Sequence, residues 1–563
     1  MTIARAVALY AIPFSAIYTL YGLGGVPRTV GLIQPILLFL FIGSSRTFAR
    51  TILGESYRDI FRSGELPRVM IYGAGSSGRQ LASAIRSCNE MRVAGFVDDD
   101  PALWRKTIDG VPVFGPHGIE EIVKRHGITD MLLAIPSASR GRRGEIVHKM
   151  RELNLHVRTL PGLLDMARGN VSVSDLRELD IEDLLGRSPV APDNQLLQGS
   201  IEGKVVLVTG AGGSIGSELC RQIAQKRPAL LLLIEISEYN LYAIHQDLQR
   251  ASTVWNYDPN ILIPLLASVT NAQRMEEIIE TWHPDVIFHA AAYKHVPLVE
   301  HNSVEGVQNN VFGTYVLARI AHNHCVPNFV LISTDKAVRP TNIMGASKRL
   351  AELVLQAMQA SQTSTCFSMV RFGNVLGSSG SVVPLFRRQV ADGGPVTITH
   401  ADITRYFMTI SEAAQLVLHA GAMAQGGDVF VLDMGDPVKI IDLARNIIEL
   451  SGLTVRERSN PDGDIEIRTV GLRPGEKLYE ELLIGDNPSP TSHSRILRAN
   501  ERYLEWDALK PMLDDLKDAI HCGDAKRTRA MVGKIVPEYR PNSPVVDWVS
   551  TARDQLPREV AAE

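Results

Sequence analysis

Residues 204–235 restrict the fold more than any other stretch of this chain. Lys204-Val-Val-Leu-Val-Thr209 is a β-branched apolar run of the length of one buried strand. It leads into Gly210-Ala-Gly-Gly213-Ser214-Ile215-Gly216, where glycines permit a tight turn and let backbone approach a phosphate at a helix N-terminus. Leu231-Leu-Leu-Ile234 is the next strand, and Glu235 stands at its end, twenty-five residues beyond Gly210. An acid there accepts hydrogen bonds from an adenosine ribose and repels a 2′-phosphate, which favours NAD over NADP. Val286-Ile-Phe-His-Ala290-Ala291-Ala292 is a further strand whose small terminal residues allow a dinucleotide to come close. Strand, turn, helix, strand and acid in register predict a Rossmann-like parallel sheet. The cofactor-binding candidates are Gly210, Gly213, Ser214, Ile215, Gly216, Glu235, Ala290, Ala291 and Ala292.

A second glycine turn precedes it. Val69 to Tyr72 is a short strand, followed by Gly73-Ala-Gly75-Ser-Ser-Gly78, and Phe96-Val97-Asp98 comes about twenty residues later. This order matches the dinucleotide fingerprint, yet Asp98-Asp99-Asp100 equally starts a plain turn. Both a ligand site and a structural spacer stay open for this module. Ahead of it, Ala6 to Gly25 and Thr29 to Ser45 are runs of about twenty and seventeen residues without charge, divided by Val26-Pro27-Arg28. Each is near the lower limit for a membrane helix. Together they predict a transmembrane hairpin over 1–46, with a signal peptide or a buried core hairpin as alternatives. Arg46, Arg50, Arg58 and Arg62 follow the second run, so the positive-inside rule puts the remainder in the cytoplasm of a multi-pass inner-membrane protein touching lipid through residues 6–45. A net charge of −4 offers no basic face to nucleic acid. Five scattered cysteines without a CxxC argue against a disulfide framework or a metal site.

Chemistry concentrates in Ser333 to Lys348, STDKAVRPTNIMGASK, directly after the apolar strand Asn328 to Ile332. Strand C-termini face the cofactor crevice of such sheets. Thr334, Asp335 and Lys336 there supply a hydroxyl, a general acid and a general base in consecutive positions. Met344 and Lys348 share one helix face at i,i+4. This stretch resembles the catalytic segment of the extended short-chain dehydrogenase/reductases, most closely the membrane-anchored UDP-N-acetylglucosamine 4,6-dehydratases of surface-polysaccharide synthesis. Most of that superfamily has Tyr where this chain has Met344, and the long dehydratase branch is similar in carrying Met. A thioether cannot act as a base, so the group that deprotonates the carbon-4 hydroxyl is left unassigned. Asn310 resembles the superfamily's central structural Asn.

The resemblance implies an NAD-dependent hydro-lyase that turns a UDP-N-acetylhexosamine into a 4-keto-6-deoxy sugar nucleotide. Lys336 would take the carbon-5 proton, Asp335 would protonate the leaving carbon-6 hydroxyl, Thr334 would hold the carbon-4 oxygen and Lys348 the nicotinamide ribose. Asp335 would need a raised pKa and Lys336 a partly neutral amine. Arg371-Phe-Gly-Asn374 and the turn through Ser378 to Val382 suit phosphate. Arg405, Arg473 and Glu476 resemble the family's nucleotide-sugar clamp. Lys294 either meets a substrate oxygen or is simply solvated. A UDP-sugar 4-epimerase and a non-catalytic NAD-sensing membrane scaffold are the competing readings. The fold class expected is α/β, two Rossmann-like parallel-sheet domains in tandem behind the hairpin. The boundaries are a linker over 47–66, a first domain over 67–165, a linker over 166–200 with one helix from Asp175 to Leu185, a catalytic domain over 201–500 and a charged helical tail over 501–563 without readable chemistry. A homo-oligomer is expected.

Overall fold

The computed structural model describes residues 10–21, 29–52, 67–88, 91–135, 140–151, 155–159 and 194–555 apart from 362–363, 452 and 484–487, with a few isolated positions between. The chain divides into two compact units. Near the N-terminus, residues 10–21 are helical and end in a π-turn, Ala16–Tyr21. Helix α1 (Val30–Ile52) follows and contains Pro35. The expected transmembrane hairpin is not supported, because among the described residues no helix is long and apolar enough to cross a membrane. The apolar part of α1 gives way to Ser-Ser-Arg at residues 44–46, short of the roughly 20 residues a span needs. With the hairpin goes the sequence argument for a multi-pass inner-membrane placement and for lipid contact.

In the first unit, β1 (Arg68–Tyr72), helix α2 (Ser76–Cys88) and β2 (Arg92–Val97) form the strand, turn, helix and strand that the glycines imply. With β3 (Thr107–Ile108), β4 (Val111–Phe114), β5 (Asp130–Leu133) and β6 (His156–Thr159), the sheet order is β3-β4-β2-β1-β5-β6. The helix expected from Asp175 to Leu185 lies outside the described residues, except that Arg177–Glu178 are extended.

The second unit carries a nine-stranded sheet. Its first strands are β7 (Val205–Thr209), β8 (Leu230–Glu235), β9 (Leu262–Leu266) and β10 (Val286–His289). They continue with β11 (Asn328–Ile332), β12 (Cys366–Arg371), β13 (Asp428–Leu432), β14 (Ser489–Pro490) and β15 (Ile496–Ala499). The order is β9-β8-β7-β10-β11-β12-β13-β15-β14. Every pair from β9 to β13 is parallel, and β15 adds antiparallel to both neighbours. The order reverses between β7 and β10, which opens a crevice at the strand C-termini.

Both faces of this sheet are covered, so its strands are apolar at successive positions. Leu207, Leu232, Ile287, Phe329 and Met369 pack on one face, and their chain neighbours Val206, Leu231, Phe288, Val330 and Val370 on the other. On the first face lie α3 (Gly313–Asn323) and α4 (Ile343–Ala360). Helix α4 is buried along nearly its whole length because α5 (Trp506–His521) and α6 (Ala525–Ile535) pack against its far side. The expected charged helical tail is helical in α5 and α6, whose apolar sides join the core. A smaller cluster, including Leu376, Phe386, Val396, Leu443 and Ile465, builds a subdomain beside the crevice.

Candidate active site

A cavity of about 690 Å³ opens at the β7/β10 switch point. Its floor is the glycine turn. Gly210 has φ +65°, a left-handed conformation that disfavours any side chain, and a Cβ on Gly216 would fall 2.0 Å from the Gly210 carbonyl oxygen. Gly213, Ser214, Ile215, Ala290 and Ala292 line the same floor. Glu235 and Ala291 do not line the cavity. The Glu235 carboxylate accepts the N–H of Gly212 at 3.0 Å, and those of Ile236 and Ser237 at 3.0 and 3.1 Å. It therefore ties the end of β8 to the turn.

The opposite wall comes from the end of β11 and the start of α4. Asn342 caps α4 by accepting the Gly345 N–H at 2.8 Å, and Glu300 accepts that of Ile343. This cap directs Met344 and, one turn on, Lys348 to the cavity. Lys348 is 5% exposed; burial draws its amine down to about 8, with Glu352 opposing. His289 lies beneath it between the hydroxyls of Thr209 (2.7 Å) and Thr314 (3.0 Å). Burial first, then Lys348, lowers it to about 3, so it is neutral. Asn310 sits in a π-turn, Gln308–Phe312, that rotates its amide to donate to Ser347 Oγ and the Tyr293 carbonyl, each at 3.0 Å.

Thr334, Lys336 and Asn374 face the cavity, while Asp335 lies just behind, fully buried. Asp335 Oδ1 accepts from Lys336 Nζ at 3.0 Å and from Thr334 Oγ1 at 2.9 Å, and its Oδ2 has no partner. Lys336 Nζ also donates to Asn374 Oδ1 at 3.0 Å and lies 3.8 Å from Glu480 Oε1. Burial pulls the Lys336 amine down, but Asp335 and Glu480 more than offset this, so it is held above its ordinary value. Against the expected partly neutral Lys336, hydrogen bonds to Asp335 and Asn374 and the Glu480 carboxylate at 3.8 Å favour its protonated form.

Ser378 and Val382 line the cavity's far rim with Lys294. Gly380 has φ +69° and is pressed against His295, leaving no room for a Cβ. Arg405, Arg473 and Glu476 are not brought to the cavity wall. Arg405 is 6% exposed and donates to the carbonyls of Thr404 (2.7 Å) and Lys477 (2.8 Å). Glu476 accepts from Thr399 Oγ1 and the Arg473 N–H, each at 3.1 Å. These three residues brace the loop over 473–477, with Arg473 outermost and exposed.

Two features escaped the sequence reading. Glu480, four residues beyond Glu476 in an irregular segment, was hidden in a charged run. The other is a buried charge cluster under the site: Glu352 accepts from Ser333 Oγ (2.6 Å) and Arg371 Nε (2.7 Å), and pairs with Arg349. Glu501 completes it from the far end of the chain, pairing with Arg371 and Arg349.

Two family models match the sequence, one described as polysaccharide biosynthesis protein over residues 206–501 and one as CoA-binding domain over residues 35–161. The chain is 45% identical over 477 residues to the capsular polysaccharide biosynthesis protein CapD of Staphylococcus aureus, covering 83% of this chain and 77% of that protein. It is 42% identical over 452 residues to the probable polysaccharide biosynthesis protein EpsC of Bacillus subtilis, covering 80% and 73%. A UDP-glucose 4-epimerase of Rickettsia akari is 32% identical over 287 residues, covering 50% and 79%.

Proposed function

We infer that this chain, which belongs to the polysaccharide biosynthesis protein family, is a sugar-nucleotide enzyme of the dehydratase/epimerase type and, within that type, an NAD-dependent 4,6-dehydratase acting on a UDP-N-acetylhexosamine. The observation that carries the reading is the 3.0 Å hydrogen bond from Lys336 at the cavity wall to Asp335 just behind it, beside a Met344 that cannot take a proton. An epimerase needs neither an acid for carbon 6 nor a base for carbon 5.

The bare glycine floor fits a dinucleotide: Gly210, Gly213 and Gly216 would receive its diphosphate, Glu235 orders the turn, and Lys348 would bind the nicotinamide ribose. Bound NAD would supply reversible two-electron oxidation at carbon 4 and the matching reduction at carbon 6. The protein's own part is proton transfer. One proton moving from Lys336 Nζ to Asp335 Oδ1 along their hydrogen bond converts the ion pair into a neutral amine and a neutral acid together. Lys336 then accepts the carbon-5 proton while Asp335 gives its proton to the carbon-6 oxygen. The carbon–oxygen bond breaks, a carbon 5–carbon 6 double bond forms and water leaves. Lys336 afterwards returns its proton to carbon 5, and the proton released from the carbon-4 hydroxyl on its oxidation replaces the one that left with water, restoring the starting ion pair. Lys294, Asn374, Ser378 and Val382, which line the cavity, would border the sugar and diphosphate, while Arg405, Arg473 and Glu476 brace the 473–477 loop.

Proton NMR of the protein with UDP-N-acetylglucosamine and NAD tests this. A new carbon-6 methyl doublet is expected, and Asp335→Asn should lower its rate roughly 10²–10⁴-fold with nucleotide binding retained. The 4-epimerase reading, favoured by the Rickettsia relative, requires a second N-acetylhexosamine spectrum without a methyl signal. That outcome would replace the dehydratase.

A further inference from the structure

Glu480 is a buried carboxyl that the mechanism above does not use. Its side chain is 3% exposed, and Oε1 stands 3.8 Å from both Lys336 Nζ and Arg405 Nε. Oε2 is buried without a hydrogen-bond partner. It belongs to the segment that continues from the 473–477 loop, and Arg405 bonds to the carbonyl of Lys477 in that same loop. The charged groups facing it are Lys336 and Asp335 from the turn after β11, Arg405 from the short strand Thr404–Arg405, and Lys477 on its own segment.

We propose that Glu480 is a positioning residue that sets the proton distribution of the Asp335–Lys336 pair. An ionised Glu480 places a second negative charge beside the ammonium and holds the proton on Lys336. A neutral Glu480 removes that charge and favours the amine and the acid that dehydration needs. Burial raises Glu480, with Lys336 opposing, so this carboxyl is more easily neutralised than an exposed one. Arg405 pulls on the same oxygen, so any movement of the 473–477 loop alters the charge that Lys336 feels. The proton move itself is balanced: one N–H bond breaks on Lys336 Nζ and one O–H bond forms on Asp335 Oδ1. Its catalytic meaning rests on the dehydratase reading; the electrostatic link does not.

The test separates the two. Reductive methylation of the whole protein by formaldehyde and cyanoborohydride labels only neutral amines, and Lys336 is 18% exposed at the cavity wall. Peptide mass spectrometry across a pH series gives the midpoint for Lys336 labelling without any sugar nucleotide. Glu480→Gln and Glu480→Met should each lower that midpoint by about one unit or more, because a charge under 4 Å away acts strongly in a buried site. Glu480→Asp should stay near the wild type. Two replacements guard against one that fails to fold, which a circular-dichroism melt detects. With UDP-N-acetylglucosamine, both limbs of the pH–rate profile should move to lower pH in Glu480→Gln. A folded Glu480→Gln or Glu480→Met with an unmoved labelling midpoint overturns the proposal. A lowered midpoint in a protein that makes no methyl-bearing product upholds it and ends the dehydratase reading instead.

Discussion

Replacing Glu501 by Ala should destabilise the catalytic unit out of proportion to its place near the C-terminus. Glu501 Oε2 pairs with Arg371 Nη2 at 2.7 Å and with Arg349 Nη1 at 3.0 Å, and Oε1 pairs with Arg371 Nη1. Both arginine side chains are 1% exposed. With Glu352 the cluster holds two positive and two negative charges; without Glu501 one guanidinium charge is uncompensated. Removing one partner of a buried ion pair costs roughly 3–5 kcal/mol. At a urea slope of about 3 kcal/mol per molar, the unfolding midpoint should fall by about 1 M or slightly more. Near-ultraviolet circular dichroism of the whole chain in urea reads this, and hydrogen exchange in α4 locates it. Adding Arg349→Met to Glu501→Ala removes the excess charge and should recover part of the loss. A loss below about 1 kcal/mol at unchanged slope would refute the reasoning, since a buried guanidinium cannot lose its partner that cheaply.

Gly216→Ala would bring a Cβ to 2.0 Å from the Gly210 carbonyl oxygen, so the turn must open. A loss of about 1–3 kcal/mol in stability and roughly tenfold or more in NAD affinity is expected by calorimetry; unchanged affinity would take the turn out of the cofactor site. Lys348 titrates in the folded protein at about 8, below its ordinary value of 10.5. Folding therefore bears the cost of its buried charge below pH 8, and stability rises from about pH 8 to 10.5 as the folded form releases the proton first. The rise, up to about 3 kcal/mol, should vanish in Lys348→Met when urea midpoints of the two proteins are compared; parallel pH curves would show that the amine is not buried as a cation.

The Rossmann cores were legible because their signals are local. In β7 to β8, strand, glycine turn and acid lie within thirty-one residues, and each glycine answers a backbone demand seen at Gly210 and Gly216. Thr334, Lys336, Met344 and Lys348 share one wall for the same reason. What the sequence hid depends on partners far apart. Nothing near Arg371 announces Glu501, 130 residues away, and a lone Glu480 in a charged run looks like a solvated face. Residues 501–555 looked like a tail because amphipathic helices reveal an apolar stripe but not what covers it. For the hairpin, length alone had to decide between a membrane span and something else, and among the described residues no helix is long and apolar enough to cross a membrane. For the first glycine turn the ambiguity persists at atomic detail. Asp98 accepts the Ala74 N–H at 2.7 Å and also that of Asp100 at 2.9 Å, so one carboxylate serves both the fingerprint and the turn.

The late partner of Arg371 also sets a timetable. A ribosome adding about 5–20 residues per second delivers Glu501 on the order of ten seconds after Arg371. Throughout that interval a nascent chain can pair β7 to β12 but holds two arginines and one glutamate where the finished cluster will be. The layer containing Ser333, Glu352 and the end of β11 gains its last carboxylate only when Glu501 has emerged. Order of synthesis thus leaves the layer beneath Lys336 one carboxylate short until Glu501 emerges.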